Sequence, residues 1–388
     1  MVSPIYLDYQ ATTPLDPRAF EAMRPYLEHK FGNPHSATHR YGWEAEAGVE
    51  VAREQIAAAM AVMPEEIIFT SGATEANNLA LKGVLNSRGE GVKSHLIIAS
   101  TEHKCVLETA RTLHHQGHRV TVLPVNEDGL LEVEAVAAAI SQDTVLISIM
   151  TVNNEIGVIQ PIEDIARLAK AKGVLFHTDA AQAFGKIPFY PDKTGVDLAS
   201  LSAHKIYGPK GVGALYLKGG PRALKLLPHM DGGGQEGGIR SGTLSPALCA
   251  GFGVAAVCAL EEMEHECQRA VRHCNRLCTG LRDEVSDMWI NGSTNRRLYS
   301  NLNISFPGID GERLLADLRG VALSSGAACA SALTGPSYVL EALGLPKQLA
   351  QASLRLGTGR FTTDEDIENA IKMIAQAVKA QKEKKKIW

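Results

Sequence analysis

Short apolar segments that alternate with amphipathic segments constrain the fold of this chain more than any other feature of its sequence. The apolar segments are typical of buried strands, and the segments between them have helical periodicity. The predicted strands are 67–69, 95–99, 144–150, 174–177, 198–202 and 212–217, and the predicted helices are 74–85, 102–116 and 162–172. Buried strands joined by helices form a mostly parallel sheet covered on both faces. The sequence therefore predicts an α/β fold with a large three-layer domain.

The chain is too long for one hydrophobic core. It has 388 residues, whereas a single core stops growing beyond roughly 250–300 residues. A long helix is predicted at 246–284, and beyond it a half-buried strand at 301–306 and an amphipathic helix at 364–379 suggest a smaller α+β domain. We expect the large domain to span 16–258 and the small domain to combine 1–15 with 259–388.

Composition excludes several classes of protein. The net charge of -4 gives no basic footprint for nucleic acid. No apolar run reaches the ~18 residues of a membrane span, and the N-terminal residues do not read as a secretory signal. The seven cysteines form no disulfide framework and indicate a reducing compartment. Cys267, Cys274 and Cys278 recur near one helix face and are interpreted as packed thiols, so no metal site is predicted.

The segment Thr70-Ser71-Gly72-Ala73-Thr74 joins a predicted strand to a predicted helix. Its small residues let an anion approach the backbone, and the helix N-terminus offers N–H groups with partial positive charge. The alternative is an ordinary capped helix, with the hydroxyl of Ser71 or Thr74 bonded to backbone amides. Because the chain contains no G-x-G-x-x-G motif, a dinucleotide site is not supported.

Two further candidates follow strands of the same sheet. Asp179 lies where a strand leaves the sheet, so it could hold a ring nitrogen protonated or could be the N-cap of the next helix. Lys205 follows the strand at 198–202, where burial lowers the pKa of an amine and prepares it to form a Schiff base. The alternative for Lys205 is an ordinary lysine at a strand end.

A phosphate cradle, an aspartate and, 26 residues later, a lysine occur here in the order typical of pyridoxal-phosphate enzymes of the aspartate-aminotransferase fold type. The chain resembles the cysteine desulfurases of the class V aminotransferase group, especially the bacterial and mitochondrial kind that serves iron–sulfur cluster assembly. The resemblance runs from residue 6 to about residue 360. Its other motifs are ATTP at 11–14, FGNP at 31–34, TEHK at 101–104, VNNEIG at 152–157, RSGT at 240–243, SSG at 324–326 leading to Cys329, and PSYVL at 336–340.

The resemblance implies a role for each matching residue. Lys205 is expected to bind pyridoxal 5'-phosphate covalently, Asp179 to pair with its ring nitrogen and Gln182 to bond its ring hydroxyl. His103 is expected to stack on the ring and to act as an acid or base. Phosphate ligands are expected to be Ala73, Thr74, Ser202 and His204, joined by Thr243 of the other subunit of a homodimer. Asn154 and Arg355 are expected to face the substrate carboxylate or the cofactor, although Arg355 could equally form a structural ion pair.

Cys329 is the residue that distinguishes a desulfurase from a plain aminotransferase. It lies among small residues at 324–332, which suits a mobile loop of the small domain that carries a thiol between two places. The resemblance implies that Lys205 removes the Cα proton of L-cysteine, that Cys329 takes the sulfur as a persulfide and that alanine is released. A transient iron–sulfur ligand role for Cys329, together with a scaffold partner, is also implied.

The resemblance leaves alternatives open. A selenocysteine lyase or a related pyridoxal-phosphate lyase of the same fold is the alternative enzyme, and a catalytically silent sulfur-relay or scaffold-binding protein is the alternative of another class. The expected location is the cytoplasm, or the mitochondrial matrix or a related organelle if a transit peptide was removed. The sulfur acceptor is expected to be an iron–sulfur scaffold protein or another protein.

The chain departs from the pattern of the family at two places. Gly237 stands where the family usually has an arginine, which puts a local ion pair in doubt. The sequence also ends at Trp388, whereas close relatives carry a longer C-terminal segment associated with scaffold docking, so scaffold binding is less well supported than catalysis.

Overall fold

The structure is a computed structural model that describes residues 4–89, 91–325 and 336–386. The strands are β1 (Ile5–Tyr6), β2 (Ile67–Thr70), β3 (His95–Ala99), β4 (Arg119–Leu123), β5 (Thr144–Ser148), β6 (Leu175–Asp179), β7 (Leu198–Ser202), β8 (Gly213–Leu217), β9 (Trp289–Ile290), β10 (Asn301–Ser305), β11 (Val321–Ala322), β12 (Ser324–Ser325) and β13 (Ser353–Gly357).

Twelve α-helices are described. They are α1 (Pro17–Glu28), α2 (Arg40–Met60), α3 (Ala73–Asn86), α4 (Lys104–His115), α5 (Val133–Ala139), α6 (Ile162–Ala171), α7 (Pro191–Thr194), α8 (Pro246–Glu284), α9 (Gly311–Asp317), α10 (Tyr338–Ala342), α11 (Lys347–Gln351) and α12 (Asp364–Lys386).

The central sheet has seven strands in the order β2-β8-β7-β6-β5-β3-β4. Strands β3 to β7 are mutually parallel, and β8 runs antiparallel to both of its neighbours. Alternate residues face two separate hydrophobic clusters: Phe69 and Phe176 belong to one, Ile68 and Leu96 to the other. The prediction of a mostly parallel sheet covered on both faces is therefore confirmed.

A second, four-stranded sheet has the order β12-β13-β10-β9. It packs on α9 and α12 in a cluster of its own, to which Leu7 near the N-terminus also contributes. The sequence analysis predicted β10 and α12 in this region but not β13. The division of the chain into 16–258 and the two remaining segments stays a prediction.

Helix α8 is 39 residues long and contributes to both regions. Phe252 and Ala256 belong to the large cluster on one face of the central sheet, whereas Leu277 and Leu281 belong to the cluster of the second sheet. Within the described chain α8 is the one helix that is long and apolar enough to span a membrane. However, 56% of its most apolar 18-residue stretch is buried inside the protein. Burial of this kind is also found in the core helices of globular proteins.

Candidate active site

The carboxyl ends of β2, β3, β5, β6 and β7 meet at one edge of the central sheet, which is where open α/β folds bind ligands. A cavity of about 520 Å³ lies there. Apart from Thr243, every predicted cofactor-binding residue lines it, and so does Arg355: the full set is Ala73, Thr74, His103, Asn154, Asp179, Gln182, Ser202, His204, Lys205 and Arg355. The fold thus gathers residues that are up to 282 positions apart in sequence.

One wall of the cavity is the start of α3. Its N-cap residue is Gly72, and no described side chain caps the helix. The carboxylate of Glu75 accepts a hydrogen bond from the Ser71 amide (2.8 Å) rather than capping the first turn, and a Cβ on Gly72 would meet no described atom within 4 Å. The capped-helix alternative is therefore not what the structure contains. Uncapped N–H groups beside open space suit a phosphate.

Asp179 is the last residue of β6, and it is buried. Its Oδ2 accepts a hydrogen bond from Asn77 Nδ2 (2.7 Å), and its Oδ1 accepts one from the amide of Ala181 (3.0 Å). These two donors fix the direction in which the carboxylate faces. The sequence analysis did not identify Asn77 as a site residue. Its position on α3, four residues after Ala73 and hence on the same helix face, was the available signal.

His103 caps α4 and also lines the cavity. Its Nδ1 accepts a hydrogen bond from the amide of Cys105 (3.2 Å). Because an amide only donates, the proton of the neutral ring lies on Nε2. Burial lowers the pKa of His103, which favours this neutral form.

Cys105 also lines the cavity but was not predicted to belong to the site. Its Sγ lies 3.0 Å from His103 Nδ1 and accepts a hydrogen bond from Asn77 Nδ2 (3.1 Å). Burial, and secondarily the Asp179 carboxylate, raises the pKa of Cys105 to about 12. Because the thiolate is the nucleophilic form of cysteine, Cys105 is poorly suited to attack a substrate.

Lys205 follows β7 in a 3-10 turn at Ala203–Lys205. Its Nζ donates to the carbonyl oxygens of Gln10 (2.6 Å) and Ala11 (2.8 Å). The neighbouring His204 is bonded through Nδ1 to Thr12 Oγ1 (3.1 Å), and burial lowers the pKa of His204 to about 4. The N-terminal segment thus positions the Lys205 amine at the cavity, next to a neutral imidazole.

Arg355 lies on β13 and reaches the cavity from the second sheet. It forms an ion pair with Asp8 (2.8 Å) and also donates to Asn154 O (3.0 Å) and Ser324 Oγ (3.0 Å). Its Nε and the Oδ1 of Asn154 are buried and have no hydrogen-bond partner among the described residues. Arg355 is therefore held by a structural ion pair, and its Nε still lacks a partner among the described residues. A buried polar atom without a partner is typical of a site that binds a polar ligand.

One predicted residue is not in the cavity lining, and another lies outside the described residues. Thr243 is exposed, although Arg240 of the same turn forms an ion pair with Glu75 on α3 (2.8 Å). Cys329, together with the loop predicted around it, lies outside the described residues. Ser324, five residues before Cys329, contacts Arg355.

Gly237, which replaces the usual arginine, has a positive φ of 65°, and a Cβ there would approach Pro221 Cγ to 2.8 Å. The adjacent Glu236 is nevertheless fully paired. Its carboxylate accepts hydrogen bonds from Arg53 Nη2 (2.8 Å) and from the amide of Phe69 (2.6 Å). The carboxylate beside Gly237 is thus paired with Arg53 of α2, and the loss of an ion pair made by residue 237 itself stays a prediction.

Comparison with known proteins shows the family to which the chain belongs. The family described as "Aminotransferase class-V" matches residues 5–370. The enzyme named "Cysteine desulfurase IscS" of Rickettsia bellii (strain OSU 85-389) is 47% identical over 388 residues, which cover 100% of this chain and 94% of the relative. The enzyme named "Cysteine desulfurase, mitochondrial" of Arabidopsis thaliana is 52% identical over 380 residues, which cover 98% of this chain and 83% of the relative.

Solved structures agree with the sequence relatives. A protein titled "NIFS-LIKE PROTEIN" superimposes with a TM-score of 0.90 at 37% identity, covering 97% of this chain and 99% of the other. The structure titled "SspA in complex with cysteine" superimposes with a TM-score of 0.83 at 39% identity, covering 92% of this chain and 99% of the other.

Proposed function

The chain belongs to the class-V aminotransferase family, and on that premise we propose that it is a pyridoxal-phosphate-dependent cysteine desulfurase. It converts L-cysteine to L-alanine and transfers the sulfur to Cys329 as a persulfide. The observation that carries the proposal is the single cavity in which the Lys205 amine, the Asp179 carboxylate and the uncapped start of α3 meet. The relatives named cysteine desulfurase, which align over the whole chain, support the same reaction.

The residues of the cavity fit pyridoxal 5'-phosphate. The N–H groups of Ala73 and Thr74, with Ser202 and His204, would hold the phosphate. Asp179 would bind the ring nitrogen, Gln182 the ring hydroxyl and His103 the ring face, and Lys205 would carry the covalent attachment. When bound, the cofactor supplies an electron sink for the charge that develops on the substrate Cα.

The protein side chains bind the substrate and move protons and sulfur. Arg355, supported by Asn154, binds the carboxylate of L-cysteine, since a guanidinium matches a carboxylate in geometry and charge. Lys205 Nζ removes the Cα proton, and the Nε2–H of His103 is available as an acid. The Cys329 thiolate forms a bond to the substrate sulfur as the Cβ–S bond breaks. The carbon skeleton takes up one proton at Cβ, regains one at Cα and leaves as alanine.

Incubation of the holoprotein with L-cysteine tests this function. The expected products are equal amounts of alanine and of transferable sulfur, with a mass gain of one sulfur atom on the tryptic peptide that contains Cys329. A protein that is inert toward L-cysteine but releases selenide from L-selenocysteine would instead be a selenocysteine lyase. Absence of both reactions, in a protein that binds no cofactor, would favour a catalytically silent relay.

The expected partners are a second copy of the chain and a sulfur acceptor. Phe31, Tyr41 and Trp43 lie close together at the start of α2 with exposed fractions of 71%, 54% and 54%, and the rings of Phe31 and Tyr41 stack at 5.3 Å. Exposed aromatic groups of this kind mark contact surfaces. A homodimer would cover them. The acceptor would be an iron–sulfur scaffold protein, with Cys329 as a transient cluster ligand, or another protein.

We place the enzyme in the cytoplasm, as the relatives named for bacterial species suggest. The relative named mitochondrial supports the alternative of an organelle.

Thr243→Val is expected to weaken cofactor binding about ten- to a hundredfold without abolishing it. The exposed hydroxyl of Thr243 would bond the cofactor phosphate in the partner subunit, and a hydrogen bond to a charged group contributes roughly 1.5–3 kcal/mol. The dissociation constant is measured by titrating the apoprotein with cofactor. Thr279→Val removes an equally exposed hydroxyl from α8 and is the control, for which no change is expected.

Mixed dimers of Lys205→Ala and Thr243→Val subunits test whether the site is shared. If Thr243 acts across the interface, one centre of each mixed dimer is intact and the other carries both defects. Roughly half of the wild-type activity is then expected at limiting cofactor. Activity no higher than the mean of the two parent variants would show that Thr243 acts within its own chain.

A further inference from the structure

A second lysine, Lys186, lies directly behind the cavity. It follows the turn that leaves β6, is half-buried, and is not one of the residues that line the cavity. Its Nζ donates to Gln182 Oε1 at 2.7 Å. The catalytic roles described above do not use this amine.

The segment that carries Lys186 is held firmly. Gly185 has a φ of 71°, and a Cβ there would come within 2.9 Å of both Ala259 Cβ and Ile206 Cγ2. The amide of Lys186 bonds Ala183 O (3.0 Å), and its carbonyl oxygen accepts a hydrogen bond from the hydroxyl of Tyr299. The direction in which the Lys186 side chain leaves the backbone is therefore set by packing on α8 and on the turn after β7.

The other end of the Gln182 amide is bound to the main chain. Its Nε2 donates to Gln10 O at 2.8 Å, and the same oxygen accepts the hydrogen bond from Lys205 Nζ at 2.6 Å. Because Nε2 and Nζ share one acceptor, the Gln182 amide group and the Lys205 amine are neighbours. An amide NH2 group has two hydrogens, so one remains for an acceptor in the cavity.

The amide orientation follows from the nature of both partners. An amine donates whether it is charged or neutral, and a carbonyl oxygen only accepts. With the Gln182 amide reversed, Nε2 would face the donor Lys186, and Oε1 would face the acceptor Gln10 O. The contact with Gln10 O would then be lost in every case, and the contact with Lys186 would be lost whenever its amine is protonated. Loss of the Gln10 contact would leave a polar atom of the buried Gln182 side chain unpaired, which destabilises the folded protein.

The charges that face Lys186 do not change this conclusion. Lys205 and Arg355 are the nearby cations, and Glu266 of α8 is the nearby carboxylate. Burial lowers the pKa of Lys186 to about 7, so its charge is partly lost near neutral pH. The hydrogen bond to Oε1 persists in both forms, because neutral and charged amines both donate.

We propose that Lys186 is a positioning residue for the cofactor: by donating to Gln182 Oε1, it holds the Gln182 NH2 group toward the cavity, beside Lys205. The proposal rests on the proposed function, because the acceptor for the second hydrogen of Gln182 is the ring hydroxyl of the cofactor. Lys186 itself contacts neither cofactor nor substrate.

A double-mutant cycle tests the proposal. Lys186→Met and Gln182→Ala are each expected to weaken cofactor binding to the apoprotein by roughly tenfold and to alter the pH titration of the visible absorbance of the bound cofactor. The double variant is expected to be no weaker than Gln182→Ala alone, because both changes remove one interaction. Lys186→Arg retains a donor and is expected to restore binding. Lys170→Met, on the exposed face of α6, is the control for loss of a lysine.

The outcomes separate the proposal from its premise. Additive losses in the double variant, or a Lys186→Met protein with the wild-type dissociation constant and absorbance titration, would overturn the role of Lys186 while leaving the proposed function intact. Lys186 would have a purely structural role under a different pair of results. The Lys186→Met apoprotein would have a lowered melting temperature, and the Lys186→Arg protein would regain that temperature without regaining cofactor binding. A wild-type protein that binds no cofactor would overturn the proposed function itself.

Discussion

Replacing Lys205 with alanine is expected to reduce alanine formation from L-cysteine by at least about 10³-fold. Lys205 is proposed both to attach the cofactor and to remove the Cα proton, and positioned general acid–base catalysis alone contributes about 10²–10⁴-fold. The overall fold is expected to be retained, because the hydrogen bonds from the Lys205 amine to Gln10 and Ala11 end on main-chain oxygens rather than on side chains of the core. Alanine is measured under single-turnover conditions.

Lys210→Ala provides the matched control. Lys210 also lines the cavity and lies five residues further along the chain. We expect it to retain cofactor attachment and to lose no more than about a hundredfold in rate, the upper effect of one hydrogen bond to a charged group. Borohydride reduction distinguishes the two lysines. Cofactor that is still fixed covalently to the Lys205→Ala protein would assign the attachment to another lysine.

Replacing Cys329 with serine is expected to lower alanine formation by at least about a thousandfold, on the scale seen when a catalytic nucleophile is removed. A hydroxyl at neutral pH is not ionised and does not accept the substrate sulfur. Binding of the cofactor and of L-cysteine is expected to be unchanged. Alanine and protein-bound persulfide are both measured, because loss of the persulfide with normal alanine would show that sulfur leaves by another route.

Cys105→Ser is the control for Cys329→Ser. Its thiol lines the cavity, but burial raises the pKa of Cys105 to about 12, so little thiolate is present. We expect the Cys105→Ser protein to form persulfide at a rate within about tenfold of wild type, since the hydroxyl retains a donor for His103. If Cys105→Ser abolished the persulfide and Cys329→Ser did not, the nucleophile would be Cys105.

Much of the central sheet was predictable because its strands are short, continuously apolar and separated by helices. The observed β3 and β7 have the predicted bounds. Strand β4 was not predicted, because it lies at the edge of the sheet and exposes Arg119 and Val122. An edge strand with one open face has no continuous apolar run, and periodicity alone does not separate it from a loop.

The site residues that lie in sequence motifs were predictable. The site residues that act through contacts between distant segments were not. Asp179, Lys205 and His103 lie at the ends of strands or the start of a helix, and the structure brings them to one cavity. Asn77 and Lys186 act through other side chains, one on Asp179 and the other on Gln182. Helical spacing from Ala73 places Asn77 on the cavity face of α3, but the side chains that Asn77 and Lys186 contact depend on the packing of α3 and of the turn after β6.

The geometry of the cavity depends on the length of helix α8, most of which lies far from the cavity. At 1.5 Å per residue its 39 residues form a rod about 58 Å long. No residue between Ala259 and Ala270 is buried, so apart from Glu262 and Glu266, which pair with Arg360, the middle of the rod tolerates changes of side chain. It does not tolerate changes of length: one inserted residue turns Leu277 and Leu281 by about 100° relative to Phe252. The second sheet would be displaced with them, and Arg355 would be carried away from Lys205 even though every residue of the cavity is retained.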